Sequence, residues 1–184
     1  MPLETKIAIL VLAGTGLAFM TRRSLKGLRS HGLYRLLAWI ATIALILLNI
    51  DDWFVRPFAL YQIVSWVMLL LSIFAVTYGT ISLHKGRPDP GRNDASLIGI
   101  EKTTQLVATG AYRYVRHPMY SSFQLAAVGV FLKDISWTGA FLTASVIVCA
   151  VLTAKIEEKE NILYYGDAYR DYTKKTKMFI PFLL

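Results

Sequence analysis

An all-α, polytopic membrane protein is the fold class this sequence predicts, with five spanning helices in one domain, residues 1–184. Three observations carry that prediction. Hydrophobic residues make up 55% of the chain and charged residues only 17%, against about 45–50% and about 25% in ordinary soluble domains. The apolar residues gather into five runs of near-membrane length. Most of the basic residues lie between those runs.

The same composition excludes several alternatives. The apolar fraction is too high for a disordered chain. Cys149 is the only cysteine, so no disulfide framework exists. The length suits one compact unit. A net charge of +8 could suggest nucleic acid as a partner. Here the positive residues flank apolar runs, so membrane lipids are the expected partner and nucleic acid is not.

The runs are residues 3–20, 33–50, 58–83, 118–132 and 135–154. A helix crosses a bilayer with about 20 apolar residues, within a range of about 17–25. Backbone polar groups in lipid must bond inside their own segment, so each run reads as a helix. The third is long enough to project past the bilayer. The fourth is short and must be tilted or extended by its flanks. The first is read as a retained helix and not a signal peptide: only Lys6 precedes its apolar stretch, beside Glu4, while Arg22 and Arg23 follow it.

Orientation follows from the positive residues. Seventeen of the 20 Lys and Arg fall in three groups: around the first connection, in residues 84–117, and in residues 155–184. Lys6, Arg56 and Lys133 are left for the other side. With five spans, the positive-inside rule puts the N-terminus outside and the C-terminus in the cytosol. The outer connections are short, about seven residues at 51–57 and Lys133-Asp134 alone, and short connections make antiparallel neighbours. Almost all polar sequence then lies at the cytosolic face, and so does any chemistry.

Familiar sites are missing. No P-loop occurs, and Gly14-Thr-Gly16 lies inside the first helix, where small residues let helices approach. His31, His84 and His117 are far apart in sequence and no carboxylates join them at metal-ligand spacing, so no metal site is expected. The centres of the five runs hold no ionisable residue of the kind an ion pathway uses.

Two helix ends remain. The first is Thr109-Gly-Ala-Tyr-Arg-Tyr-Val-Arg-His-Pro-Met-Tyr120. Gly110 permits a turn. Pro118 suits the first position of the fourth helix, where its missing N–H is not needed. Arg113, Arg116 and His117 would then sit at the membrane surface, which by itself could be a basic anchor. The second is Glu157-Glu158 just past the fifth run, then Tyr165-Gly-Asp-Ala-Tyr-Arg-Asp-Tyr172 and Phe179-Ile-Pro181. Carboxylates at a helix C-terminus oppose the helix dipole. A ladder of surface ion pairs does not explain them, because the pair at that spacing, Lys155 and Lys159, is like-charged. A cation near Glu157 explains them better.

T-G-x-Y-R-x-x-R-H-P-x-Y, then E-E, then Y-G-x-x-Y-x-x-Y and F-I-P resembles the isoprenylcysteine carboxyl methyltransferase and phospholipid methyltransferase superfamily of integral membrane enzymes. The resemblance covers residues 84–184. It implies S-adenosylmethionine as cofactor, bound at the cytosolic face, and a lipid-phase or amphiphilic acceptor. It implies cofactor contacts at Thr104, Gln105, Leu106, Val107, Tyr112, His117, Pro118, Met119, Tyr120 and Glu157. The chemistry is compatible: carboxylates meet cationic or hydroxyl groups, and apolar Leu106 and Val107 can flank adenine. Arg116 and Glu158 are the polar residues expected nearest the acceptor, in the catalytic role. One departure is informative. The carboxyl methyltransferases carry an arginine four residues before the first glutamate, where this chain has Thr153. Recognition of a prenylcysteine carboxylate therefore stays open, as does the choice of an O, N or S nucleophile. Two other function classes also stay open: a membrane reductase of the sterol-reductase type using a nicotinamide cofactor, and a non-catalytic membrane binding protein.

Reporter fusions after Asp51 and after Leu184 are expected on opposite sides of the membrane, with the second in the cytosol. Both reporters on one side would contradict five spans.

Overall fold

The computed structural model describes residues 1–22, 24–25, 31–84 and 106–181. Among them are six α-helices: α1 Leu3–Thr21, α2 His31–Leu48, α3 Leu60–His84, α4 Pro118–Phe131, α5 Trp137–Tyr165 and α6 Asp167–Lys175. All five apolar runs are helical. Four helices, α1, α2, α3 and α5, are long and apolar enough to cross a membrane. The chain is an integral membrane protein. The fifth expected span, α4, has 14 residues, about 21 Å at 1.5 Å per residue, which is less than the roughly 30 Å hydrocarbon core.

Local chemistry sets the helix ends. α4 begins at Pro118, whose ring suits the first turn. Ser136 caps α5 by accepting from the Gly139 N–H at 3.1 Å. Asp167 in the first turn of α6, and Lys174 and Lys175 in its last, complement the helix dipole. α5 runs eleven residues beyond the apolar run that defines it in sequence. Its polar extension carries Glu157, Glu158, Glu160 and Asn161.

Helices pair as α2 with α5 and α3 with α4, and α4 also packs on α5. α1 packs against α2, and the apolar window of α1 has none of its residues buried, as suits a helix bathed in lipid. The α3–α4 seam uses small and hydroxylated residues, the device that lets helices approach closely where lipid removes any hydrophobic drive. Ser65, Ser72 and Gly79 recur every seven residues along α3. Ser65 Oγ donates to the Gly129 carbonyl at 2.6 Å and Ser72 Oγ to the Ser122 carbonyl at 2.8 Å. A Cβ on Gly129 would sit 2.9 Å from Leu69 Cγ. Between α2, α4 and α5 lies a core of Leu45, Ala127, Val130 and Val146.

The end of the bundle away from the C-terminal motifs is closed by a buried polar knot. Lys133 Nζ donates to Gln62 Oε1 at 3.1 Å and sits 3.5 Å from the centre of the Trp66 ring. Asn49 Nδ2 donates to the Val130 carbonyl at 2.8 Å. α2 stops at Leu48, short of the expected residue 50, and the chain passes into a short 3₁₀ helix, Ile50–Asp52. The connections here are longer than sequence suggests, spanning residues 49–59 and 132–136.

Gly129→Val is expected to lower stability by about 1–3 kcal/mol, the cost of overpacking a close-fitted seam. Thermal unfolding in detergent measures it. Gly16→Val, at a position with nothing within 4 Å of the added Cβ, is expected to change little.

Candidate active site at one end of the bundle

The Thr109–Tyr120 motif folds as a tight turn followed by an extended step into α4. Gly110 has φ of +63° and opens a 3₁₀ turn, Gly110–Arg113. A side chain there would be strained and its Cβ would strike Ser82 of α3. Ser82 Oγ instead accepts the Ala111 N–H at 3.2 Å. The next residues pair with the C-terminal tail. Arg116 N donates to the Lys177 carbonyl at 2.8 Å, His117 N to that of Met178 at 3.1 Å, and Lys177 N to that of Tyr114 at 3.1 Å. Ser121 Oγ reaches the Phe179 carbonyl at 2.8 Å and Tyr172 Oη the Tyr112 carbonyl at 2.6 Å. α6 and the tail are thereby folded back over the start of α4.

Arg116 and His117 turn inward and not to the membrane surface; Arg113 alone of the three basic groups is exposed. Arg116 Nε donates to Glu158 Oε1 at 2.5 Å, and its Nη1 donates to the carbonyls of Thr176 at 2.5 Å and Thr173 at 3.3 Å. One guanidinium therefore ties together α4, α5, α6 and the tail. His117 is buried between two carboxylates, with Nε2 3.3 Å from Glu158 Oε1 and Nδ1 3.7 Å from Glu157 Oε2. Tyr120 Oη donates to Glu157 Oε1. The cation that sequence asks for near Glu157 and Glu158 is thus supplied by the R-H-P motif itself.

Beside this network lies a cavity that is partly open to solvent. Eight of the residues singled out from sequence line it: Leu106, Val107, Tyr112, Arg116, His117, Met119, Tyr120 and Glu157. Glu158 stands behind the wall, paired to Arg116 and His117. Pro118 packs against Gly79 of α3 and does not line the cavity. Thr104 and Gln105 lie outside the described residues. Thr153 is fully buried and donates to the Cys149 carbonyl at 2.8 Å, while Lys155 is exposed.

Sequence reading leaves out part of the wall. Leu83, Asn161, Tyr165, Tyr169 and Tyr172 complete it. The three tyrosines belong to the Y-G-x-x-Y-x-x-Y motif, which sequence alone gives no role. Tyr165 and Tyr169 stack at 6.4 Å, and Tyr169 meets Tyr172 edge-on at 5.7 Å. Burial pushes the Tyr169 and Tyr172 hydroxyls well above the usual phenol range, helped at Tyr169 by the Glu158 charge and at Tyr172 by Tyr169. Both are neutral hydroxyls at physiological pH. The histidines also differ from expectation. His31, at the start of α2, is fully buried and its ring lies between Glu157 and Glu160. Two histidines distant in sequence thus converge on one carboxylate. Among the described residues, no group of three His, Cys, Asp or Glu is arranged to hold a metal ion.

Residues 58–168, more than half of the chain, match the model of the phospholipid methyltransferase family. The chain belongs to that family. The match covers α3, α4, α5 and the first two residues of α6, and so all of the cavity wall except Tyr169 and Tyr172. Among curated relatives, a methanethiol S-methyltransferase of Pseudomonas deceptionensis is 26% identical over 65% of this chain and 43% of its own length. A probable protein-S-isoprenylcysteine O-methyltransferase of Oryza sativa subsp. indica is 28% identical over 64% of this chain and 63% of its own. The protein-S-isoprenylcysteine O-methyltransferase of Dictyostelium discoideum is 27% identical over 71% and 54%. The chain thus spans less than two thirds of the length of each.

Proposed function

We propose that this member of the phospholipid methyltransferase family transfers a methyl group from S-adenosylmethionine to a lipid-phase or amphiphilic acceptor. The observation that carries the reading is the Glu157 carboxylate on the wall of the cavity, held by Tyr120 and His117 and faced by tyrosines. A site for this cofactor needs an acceptor for an ammonium or ribose hydroxyls, an apolar slot for adenine, and π-faces for a sulfonium. Glu157 fits the first need, Leu83, Leu106 and Val107 the second, and Tyr165, Tyr169 and Tyr172 the third. Tyr112, His117, Met119 and Tyr120 complete the cofactor set, with Thr104 and Gln105 assigned on family resemblance alone.

S-adenosylmethionine supplies an electrophilic methyl group on a sulfonium, so the protein's part is to position and to arrange charge. Glu157 holds and orients. Tyr169 and Tyr172, uncharged, present rings without adding a phenolate. Pro118 acts at one remove by fixing where α4 starts against α3. Arg116 and Glu158 are bonded to each other and to the tail, so they shape the site and screen one another beside the acceptor. Their mutual pairing argues against either serving as a free base.

The acceptor class follows from placement. Relatives are named for methanethiol and for protein S-isoprenylcysteine. The cavity lies at one end of the bundle, beside the ends of lipid-facing helices, which supports entry of the acceptor from the bilayer. Thr153 offers no guanidinium to a carboxylate, and a buried anion without a partner is costly. A neutral or cationic head therefore suits the site better than a prenylcysteine carboxylate. The distribution of Lys and Arg supports a cytosolic position for this end, with α4 read as a short fifth crossing.

Glu157→Gln is expected to weaken S-adenosylmethionine binding by about 1–3 kcal/mol, the scale of losing a charge-assisted hydrogen bond. Calorimetric titration of the folded, detergent-solubilised protein measures it, with NADPH titrated in parallel. Unchanged affinity removes Glu157 from the site. Binding of NADPH and not of S-adenosylmethionine points to a reductase, and binding of neither points to a non-catalytic protein.

A further inference from the structure

His31 lies outside the segment that matches the family, on α2, yet it is fully buried against the candidate site. Its Nδ1 is 3.0 Å from Glu160 Oε2 and its Nε2 is 4.0 Å from Glu157 Oε1. Glu157 and Glu160 are three residues apart and so share one face of α5. The imidazole from α2 fits between them. Glu157 lines the cavity and Glu160 does not.

We infer that His31 is a positioning residue for the cofactor site: its imidazolium, clasped between Glu160 and Glu157, holds the Glu157 carboxylate at the cavity wall. The inference rests on the proposed role of Glu157.

The physical argument has three parts. Glu157 is already approached from α4 by Tyr120 and His117. Those groups hold it from one side, and His31 holds it from the α2 side, so the carboxylate is fixed from two helices. Second, Glu157, Glu158 and Glu160 cluster at one helix end, where the dipole disfavours negative charge. Arg116 and His117 answer Glu158, and a protonated His31 answers the other two. Third, at 4.0 Å from Nε2 the Glu157 carboxylate is held by charge and not by a hydrogen bond. Loss of the imidazolium proton therefore weakens that hold. Among the described residues, the titratable groups facing His31 are Glu157 and Glu160 on α5, with His117 before α4 beyond Glu157 and Arg35 one turn further along α2.

The test is S-adenosylmethionine affinity by calorimetry, with thermal stability measured alongside, for the full chain in detergent. The proteins are wild type, His31→Gln, Glu160→Gln and the double variant, each at several pH values between 6 and 9. His31→Gln is expected to weaken binding about ten-fold near neutral pH. Glu160→Gln, which removes a group that does not line the cavity, is expected to weaken it about three-fold, and the double variant to bind no worse than His31→Gln. Wild-type affinity is expected to fall as pH rises and the clasp loses its proton. The His31→Gln protein is expected to lack that limb. A structural role alone would lower thermal stability without this non-additivity or this difference in pH profile.

If wild type binds and folded His31→Gln matches it at every pH, the inference is overturned and the role of Glu157 stands. Effects of the two single variants that simply multiply overturn it as well. Should His31→Gln fail to fold, Glu160→Gln decides alone: affinity and pH profile equal to wild type overturn the inference. A folded wild type that does not bind S-adenosylmethionine overturns the reading of the site and the inference with it.

Discussion

The arrangement at the functional end depends on the Arg116 guanidinium. It bonds Glu158 on α5 and the carbonyls of Thr173 and Thr176 where α6 passes into the tail. Without it the tail would lose its side-chain anchor and keep only its backbone bonds to the R-H-P segment and the Ser121 bond to Phe179. Glu158 would keep only His117, and a buried charge stripped of its partner typically costs about 3–5 kcal/mol. The planar fork of an arginine suits this task, because several donors are held in fixed directions. A lysine could supply the charge but not the geometry. The tyrosines of the cavity reach their places through the same fold-back, since Tyr172 is tied to the Tyr112 carbonyl.

Around that clasp the physics of the two ends differs. At the functional end, carboxylates are concentrated and each meets a basic group: Arg116, His117 or His31. At the opposite end Lys133 is buried among neutral groups, an amide oxygen and the Trp53 and Trp66 rings. Burial lowers its affinity for a proton, and aromatic faces partly replace the missing water. Between the ends α3 and α4 touch through serine and glycine, so the spacing of that pair is set by close backbone approach. A rigid pair, α3 with α4, thereby carries the R-H-P motif at a fixed height.

Much of this was legible in sequence, and the failures have physical causes. Run lengths identified all five apolar helices, but a hydropathy pattern stops where charge begins. It ended the fifth helix at residue 154, whereas lysine and glutamate are good helix formers and α5 continues to Tyr165. It carried α2 through Asn49, whose side chain instead bonds the Val130 carbonyl on a helix that sequence cannot pair with it. The turn at Gly110 and the start at Pro118 were readable because both are local backbone requirements. Arg116 and His117 read as a surface anchor, since nothing local shows that the tail will fold over them. His31 carried no signal at all: its partners lie on α5, far along the chain, and only tertiary packing brings them together.

The central claim is that this end of the bundle transfers a methyl group to a molecule that comes from the membrane. Purified protein incubated with a total lipid extract and S-adenosylmethionine carrying a labelled methyl group tests it most directly. The account predicts label in a new product that partitions into the organic phase and can be identified by mass. It also predicts that a short, water-soluble analogue of that product's headgroup is methylated far more slowly at equal concentration. A folded protein that binds the cofactor yet labels nothing, or that labels the short analogue equally well, would contradict it.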